Sequence, residues 1–162
     1  MHDFFAERLF SCSKYPAAQL HFILGKSPEK FAEMIVKWSQ MGDPKEADLF
    51  CARAVFLYLA QGGGRTPFAK RLYESCRKAM YEDQNREIPP LMNFIRFLLA
   101  VIESGASSPQ FSFLREKYAV TIARDPEFQL VMQLKLFNLL NTFFSYSIAL
   151  VPDTLTNSRL VA

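Results

Sequence analysis

The chain has 162 residues and a formal net charge of +3; half of its residues are hydrophobic, and sixteen are phenylalanine. A chain of this length suits a single domain that buries about 70% of its unfolded surface. The composition excludes a disordered chain, which combines low hydrophobicity with high net charge, and the small charge gives little support to nucleic-acid binding.

Helix starts are marked along the chain by a capping residue directly before a proline. A side-chain oxygen at this position can accept a hydrogen bond from the first helical turn, and proline at the next position loses no bond of its own. One or two helices are also expected earlier, within Asp3 to Gly25. With the pair Pro89-Pro90, six starts are predicted, the others being Ser27-Pro28, Asp43-Pro44, Thr66-Pro67, Ser108-Pro109 and Asp125-Pro126.

Apolar residues after these starts recur with helical rather than strand period. Starts that are two apart, such as Pro28 and Pro67 or Pro90 and Pro126, are separated by 39 and 36 residues. Helical-hairpin repeats have periods of about 34–47 residues. The sequence therefore predicts an all-α protein, a short α-solenoid of antiparallel helical hairpins of the TPR or HEAT kind. It is expected to form one domain over residues 1–162, with a weakly defined start at 1–14 and a tail of uncertain order at 145–162.

The residues that usually carry catalysis or bind metal are few and scattered. His2 lies at the start of the chain, and His21 lies in an apolar stretch that favours a packing role. Cys12, Cys51 and Cys76 are far apart and form no CxxC pair, so they predict neither a metal cage nor a redox motif. We therefore predict no enzyme, no metal and no cofactor. Free thiols are typical of a reducing cytoplasm.

Membrane insertion is not expected either. The longest uninterrupted apolar runs, such as Phe97 to Ile102, are far shorter than the ~20 residues of a membrane span. The amino-terminal residues Met1 to Phe10 also lack the pattern of a signal peptide. The predicted location is the cytoplasm.

Two polar features allow both a functional and a structural interpretation. The loop Gln61 to Pro67 is rich in glycine but lacks the Lys-Ser/Thr of a phosphate loop, so we interpret it as a helix termination. A basic face of the following helix is either a solvated surface or a docking site for an acidic partner. This face contains Arg65, Lys70, Arg71, Arg77 and Lys78.

Two segments are apolar on more sides than a surface helix requires. They are Leu91 to Ile102 and Phe128 to Phe144. Both could be central helices that neighbours cover on each side. Alternatively, their free edge forms a groove for a partner helix or strand.

Several motifs together resemble the family of the fourth Golgi-to-ER-traffic factor. They are "YPAAQLHFILG" (Tyr15 to Gly25), "FAEMIVKWS" (Phe31 to Ser39), "ADLFCARAVFLYLAQGG" (Ala47 to Gly63), "PPLMNFIRFLLAVIE" (Pro89 to Glu103) and "FLREKYAVTIARDPEF" (Phe113 to Phe128). Their order and spacing carry the resemblance, which spans most of residues 15–144. Its most specific part is Arg115-Glu116-Lys117-Tyr118 followed by Arg124-Asp125-Pro126.

The resemblance implies a non-catalytic scaffold that helps to target tail-anchored membrane proteins. In that family the carboxy-terminal half holds the amino-terminal segment of a ubiquitin-like adaptor, or a large BAG-domain chaperone protein in animals. The amino-terminal half binds a targeting ATPase. The present chain resembles the carboxy-terminal half, so we expect adaptor binding and no ATPase binding. We expect the adaptor groove to be shaped by Phe94, Phe97, Leu98, Val101, Phe137, Leu140 and Phe144.

Two alternatives remain at the level of the sequence. One is a generic helical-repeat scaffold of another cytosolic complex. The other is a carrier that holds apolar helices between its phenylalanine-rich helices. A methionine-rich groove typifies such carriers, whereas the six methionines of this chain are scattered.

Overall fold

A computed structural model of the chain describes residues 1–62, 64–105 and 108–131. Every regular element in these residues is a helix, which confirms the all-α prediction. A 3-10 helix, Pro44–Glu46, precedes α4, and a π-helical turn, Lys78–Glu82, follows α5. The α-helices are α1 (His2–Ser11), α2 (Tyr15–Leu24), α3 (Pro28–Ser39), α4 (Ala47–Ala60), α5 (Thr66–Arg77), α6 (Pro90–Glu103), α7 (Ser108–Lys117), α8 (Ala119–Ile122) and α9 (Pro126–Val131).

All six predicted helix starts are confirmed, but the predicted caps only in part. The side chains of Asp43 and Asp125 each accept a hydrogen bond from the N–H two residues later. Ser27 makes no such bond, because its backbone ψ of 70° lies away from the extended geometry of a capping residue. Thr66 is already the first residue of α5 and makes no capping bond. The side chain of Ser108 lies outside the described residues.

The helices stack as consecutive hairpins. Helix α3 packs against α4 and α5, and α5 packs in turn against α4 and α6. Helix α6 also contacts α4 and continues to α7. Helices α3, α4 and α6 thus each touch the next helix and the one after it, as expected for an α-solenoid. The buried apolar residues of the described part form one core cluster.

Helix α5 ends in a change of helix type. The α-helix ends at Arg77, and the wider π-helical turn follows. Met80 and Tyr81 are both buried although they are adjacent in the chain. The extra residue of a π turn directs both side chains towards the core.

Two ion pairs hold the turn between α8 and α9 against α4. Arg124 donates from Nη1 to Asp48 Oδ2 over 2.6 Å and from Nη2 to the carbonyl of Lys45 over 2.9 Å. Arg53 Nε donates to Asp125 Oδ2 over 2.8 Å. Both carboxylates are buried, whereas both arginines are partly exposed. The hydrogen bond that Arg124 donates to the Asp48 carboxylate raises the pKa of Arg124.

Two buried tyrosines link helices through their hydroxyl groups. Tyr58 on α4 donates to the carbonyl of Phe22 over 3.1 Å, and Tyr73 on α5 donates to the carbonyl of Met92 over 3.0 Å. Burial raises the pKa of Tyr73 to about 12. Burial also raises the pKa of Tyr58 and of Tyr81 above the ordinary value.

Candidate protein-binding cleft

Helix α6, which contains one of the two apolar segments of the sequence, is covered on all but one side. Its buried residues are Leu91, Met92, Phe94, Ile95, Leu98, Leu99 and Ile102. The uncovered side carries Arg96, Phe97, Ala100 and Glu103, which recur at the three- and four-residue spacing of one helix face. Phe97 is 42% exposed, and Val101 beside it is only partly buried. An apolar edge of α6 therefore remains open.

This edge and α7 form the two walls of a cleft with a volume of about 680 Å³. On α7, Leu114 is buried, with 8% of its surface exposed, whereas Phe113 is 68% exposed. Ligand pockets in proteins are mostly apolar and of about 300–1,000 Å³, so the cleft could take several apolar side chains. Its lining residues are Phe97, Ala100, Val101, Ser104, Pro109, Gln110, Phe113, Leu114, Lys117 and Tyr118.

Aromatic and charged groups shape the cleft further. The Tyr118 ring lies 5.5 Å from the buried Phe94 ring and 6.4 Å from the Phe97 ring, between centroids. The Arg96 guanidinium lies over the Phe97 ring, 4.8 Å from its centroid. Lys117 contributes a second cation at the cleft. The cleft is therefore an apolar surface with a basic margin.

The residues predicted to shape the groove divide into three groups. Phe97 and Val101 line the cleft. Phe94 and Leu98 are fully buried in the core beneath it, so they can support the wall but offer no surface to a partner. Phe137, Leu140 and Phe144 lie outside the described residues. Binding of a partner by this set stays a prediction.

Sequence reasoning missed the α7 wall. Phe111, Leu114 and Tyr118 recur at helical spacing, which predicts that they face the packed side of the helix. Phe113 lies off that period, so a large aromatic residue sits on the side of α7 that should be polar. An aromatic residue on a solvent face is the signal that could have found this wall.

Most cations on the basic face of α5 have contacts within the chain. Arg65 donates hydrogen bonds to the carbonyls of Gly25 and Leu24. The other paired cations are Lys70 with Glu103, Arg71 with Glu29, and Arg77 with Glu82. Because four of its five cations have partners, this face supports the structural interpretation over docking of an acidic protein.

The remaining candidate groups form no metal site in the described part of the chain. Cys51 and Cys76 are buried free thiols, and Cys12 is an exposed one. The structure does bring His2 beside His21, with 3.2 Å between their Nδ1 atoms, although nothing in the sequence indicated this pair.

The glycine loop ends α4, as predicted. Gly62 and Gly64 adopt φ of 85° and 91°, which favours glycine. Across the helices of the described part, none is both long and apolar enough to cross a membrane.

Comparison with known proteins decides the family. The family described as Golgi to ER traffic protein 4 matches residues 1–137. The chain belongs to this family. It is 36% identical over 129 residues to the Golgi to ER traffic protein 4 homolog of Dictyostelium discoideum, covering 79% of this chain and 40% of that protein. It is 37% identical over 107 residues to Protein GET4 of Arabidopsis thaliana, covering 65% of this chain and 32% of that protein.

A solved structure has the same fold. The crystal structure of C. therm. Get4 matches with a TM-score of 0.72 and 24% identity, over 99% of this chain and 58% of that chain. The match agrees with the predicted helical solenoid. The chain covers 40% and 32% of the two relatives above and 58% of this solved chain, so it spans less than two thirds of the length of each.

Proposed function

We propose that the chain is a non-catalytic, cytoplasmic scaffold of the pathway that targets tail-anchored membrane proteins. In this proposal the cleft between α6 and α7 binds the amino-terminal segment of a ubiquitin-like adaptor, or a BAG-domain chaperone protein in animals. A targeting ATPase would bind elsewhere, through the amino-terminal half of the family pattern. The open apolar cleft, in a chain of the Golgi to ER traffic protein 4 family, is the observation that carries the proposal.

The position of the family motifs supports the cleft as the site. The stretch Phe113 to Tyr118, which begins the motif Phe113 to Phe128, supplies four cleft residues, and two of them, Lys117 and Tyr118, belong to the most specific part of the resemblance. The second part of that motif, Arg124-Asp125-Pro126, forms the ion pairs that hold the α8–α9 turn against α4. The motif residues thus supply part of the cleft surface and also the ion pairs that hold the turn between α8 and α9.

The energetics favour a partner that inserts several apolar side chains. Burying one large apolar side chain contributes about 1.5–3 kcal/mol, whereas association costs about 4–15 kcal/mol. One anchor is therefore insufficient, and four or more are adequate. The cleft has a volume of about 680 Å³ and an exposed phenylalanine on each of its two walls, which fits such a segment.

Binding of a fluorescently labelled adaptor segment to cleft variants tests the proposal. Phe97→Ala or Phe113→Ala should weaken binding about 10- to 100-fold, because each removes one anchor contact. Val120→Ala is the matched control, since Val120 is 87% exposed on α8 and does not line the cleft. Equal binding by all three variants would refute the cleft as the site. Equal binding of many unrelated apolar helices would instead favour a carrier.

A further inference from the structure

The cleft between α6 and α7 has two chemically different ends. At one end, here called the aromatic end, the Tyr118 ring lies 6.4 Å from the Phe97 ring, between centroids. The other end, where α6 ends and α7 begins, is lined by Ser104, Pro109 and Gln110. A segment that lies along the cleft therefore meets aromatic rings at one end and uncharged polar groups at the other.

Both cations of the cleft lie at the aromatic end. The Arg96 guanidinium lies over the Phe97 ring, 4.8 Å from its centroid. Lys117 lines the cleft and directly precedes Tyr118 in the chain. In the part of the chain that the structure describes, neither side chain has an ion-pair partner. The aromatic end therefore carries two positive charges that these residues do not neutralise.

No carboxylate balances these two charges within the described cleft. Among the described residues that line it, none is an aspartate or a glutamate. Glu103, on the uncovered side of α6, accepts hydrogen bonds from Lys70 over 2.9 and 3.0 Å. Glu116 is exposed on α7 but does not line the cleft. Because complementary charges steer association and suppress wrong partners, this end of the cleft favours an acidic group of a partner.

The described chain continues past the cleft without entering it. Helices α8 and α9 follow Tyr118, and the Phe128 ring of α9 packs on the Phe56 ring of α4, with 4.9 Å between centroids. Among the described residues after Tyr118, none lines the cleft. Within this part of the chain, the aromatic end thus lies between further helices of the stack and is not its terminal surface.

We infer that the segment bound in the cleft carries an acidic residue directly beyond its apolar anchors, and that Arg96 and Lys117 bind this carboxylate. This pairing rests on the proposed function, because it concerns the adaptor segment that the cleft would hold. The apolar anchors lie between Phe97 and Phe113, and the carboxylate lies at the aromatic end. Because the opposite end is lined by uncharged residues, the two cations also fix the direction in which the segment binds.

Binding of the fluorescently labelled amino-terminal adaptor segment to charge variants tests this pairing. Arg96→Met and Lys117→Met should each weaken binding about 2- to 5-fold at low salt, which is the effect of an exposed ion pair. Methionine keeps a long apolar side chain, so the cover over the Phe97 ring is largely preserved. Lys78→Met is the matched control. Lys78 is exposed, has no ion-pair partner among the described residues and does not line the cleft.

The salt dependence of the same binding separates charge from packing. At about 1 M salt the screening length falls to about 3 Å, so wild-type binding should weaken. The difference between the wild type and the double variant Arg96→Met/Lys117→Met should then largely disappear. A difference that persists unchanged at high salt would show that the two side chains act through packing, which would overturn the inference.

A charge reversal tests the direction of binding. Lys117→Glu should weaken binding more than Lys117→Met, because two carboxylates then meet. Replacing the acidic residue beyond the adaptor's apolar anchors by lysine should restore binding to Lys117→Glu, and lysine at the other end of the segment should not. Restoration from both ends, or from neither, would contradict a fixed direction.

The variants also separate this pairing from the proposed function. If Phe97→Ala weakens binding but the variants of Arg96 and Lys117 do not, the charge pairing is wrong and the proposed function stands. If Phe97→Ala and Phe113→Ala bind the segment as tightly as the wild type does, the proposed function fails and the pairing fails with it.

Discussion

The ion pair between Arg124 and Asp48 allows a quantitative test of how the turn between α8 and α9 is held against α4. The Asp48 side chain is 3% exposed, and Arg124 supplies its hydrogen bonds, over 2.6 and 3.1 Å. Substituting Arg124→Met leaves a buried carboxylate without its cation. Breaking a fully buried pair costs about 3–5 kcal/mol. Because the Arg124 side chain is 37% exposed, water can partly replace it, so we expect a loss of about 2 kcal/mol.

Urea denaturation followed by circular dichroism measures this loss. For a domain of this size, about 2 kcal/mol corresponds to a fall in Tm of about 4–8 °C. Arg71→Met is the matched control. Its ion pair with Glu29 has side chains that are 56% and 51% exposed. Such a surface pair contributes at most about 1 kcal/mol.

A double variant separates the cost of the unpaired charge from lost packing. Asp48→Ala/Arg124→Met removes both partners and leaves no buried carboxylate. It should be more stable than Arg124→Met alone. The reasoning is refuted if Arg124→Met destabilises the protein no more than Arg71→Met, or if the double variant is less stable than the single one.

Two further predictions concern stability. Phe97→Ala should lower the free energy of unfolding by less than about 1.5 kcal/mol, because Phe97 is 42% exposed. Phe94→Ala, in the core, should lower it by about 3–5 kcal/mol. Similar losses for the two variants in urea denaturation would contradict the placement of Phe97 on the cleft wall. The free energy of unfolding should also fall at alkaline pH. Below pH 10 the phenols are protonated in both the folded and the unfolded state. Above pH 10 the tyrosines of the unfolded state ionise first. The reason is that burial raises the folded-state pKa of Tyr73 to about 12 and also raises the pKa of Tyr58 and of Tyr81. Stability should therefore decline from about pH 10 upwards, and a constant stability between pH 9 and 12 would show that these phenols are not buried in solution.

Local signals were enough to predict the helices. Proline at the first helical position and the apolar period act within one turn, so the six starts and the all-α class could be derived without a structure. Capping was less predictable. The side chain of Asp43 caps its helix and that of Ser27 does not, because the backbone ψ of Ser27 depends on the preceding turn.

Contacts between distant residues were beyond the sequence. Asp125 was predicted only as a cap, yet it also pairs with Arg53, 72 residues earlier. The groove prediction shows the same limit. The apolar stretch of α6 indicated an open edge, but periodicity could not decide which residues face it. Phe97 lies on the open edge, whereas Phe94, three residues earlier, is fully buried.

We propose that the cleft between α6 and α7 holds an apolar segment of an adaptor. Calorimetric titration of the chain with the amino-terminal segment of a ubiquitin-like adaptor, repeated at several temperatures, tests it most directly. We expect stoichiometric binding with a large negative heat-capacity change, which is the sign of apolar burial, and a weaker complex for Phe97→Ala. Absence of binding at high concentration, or binding without a heat-capacity change, would contradict it.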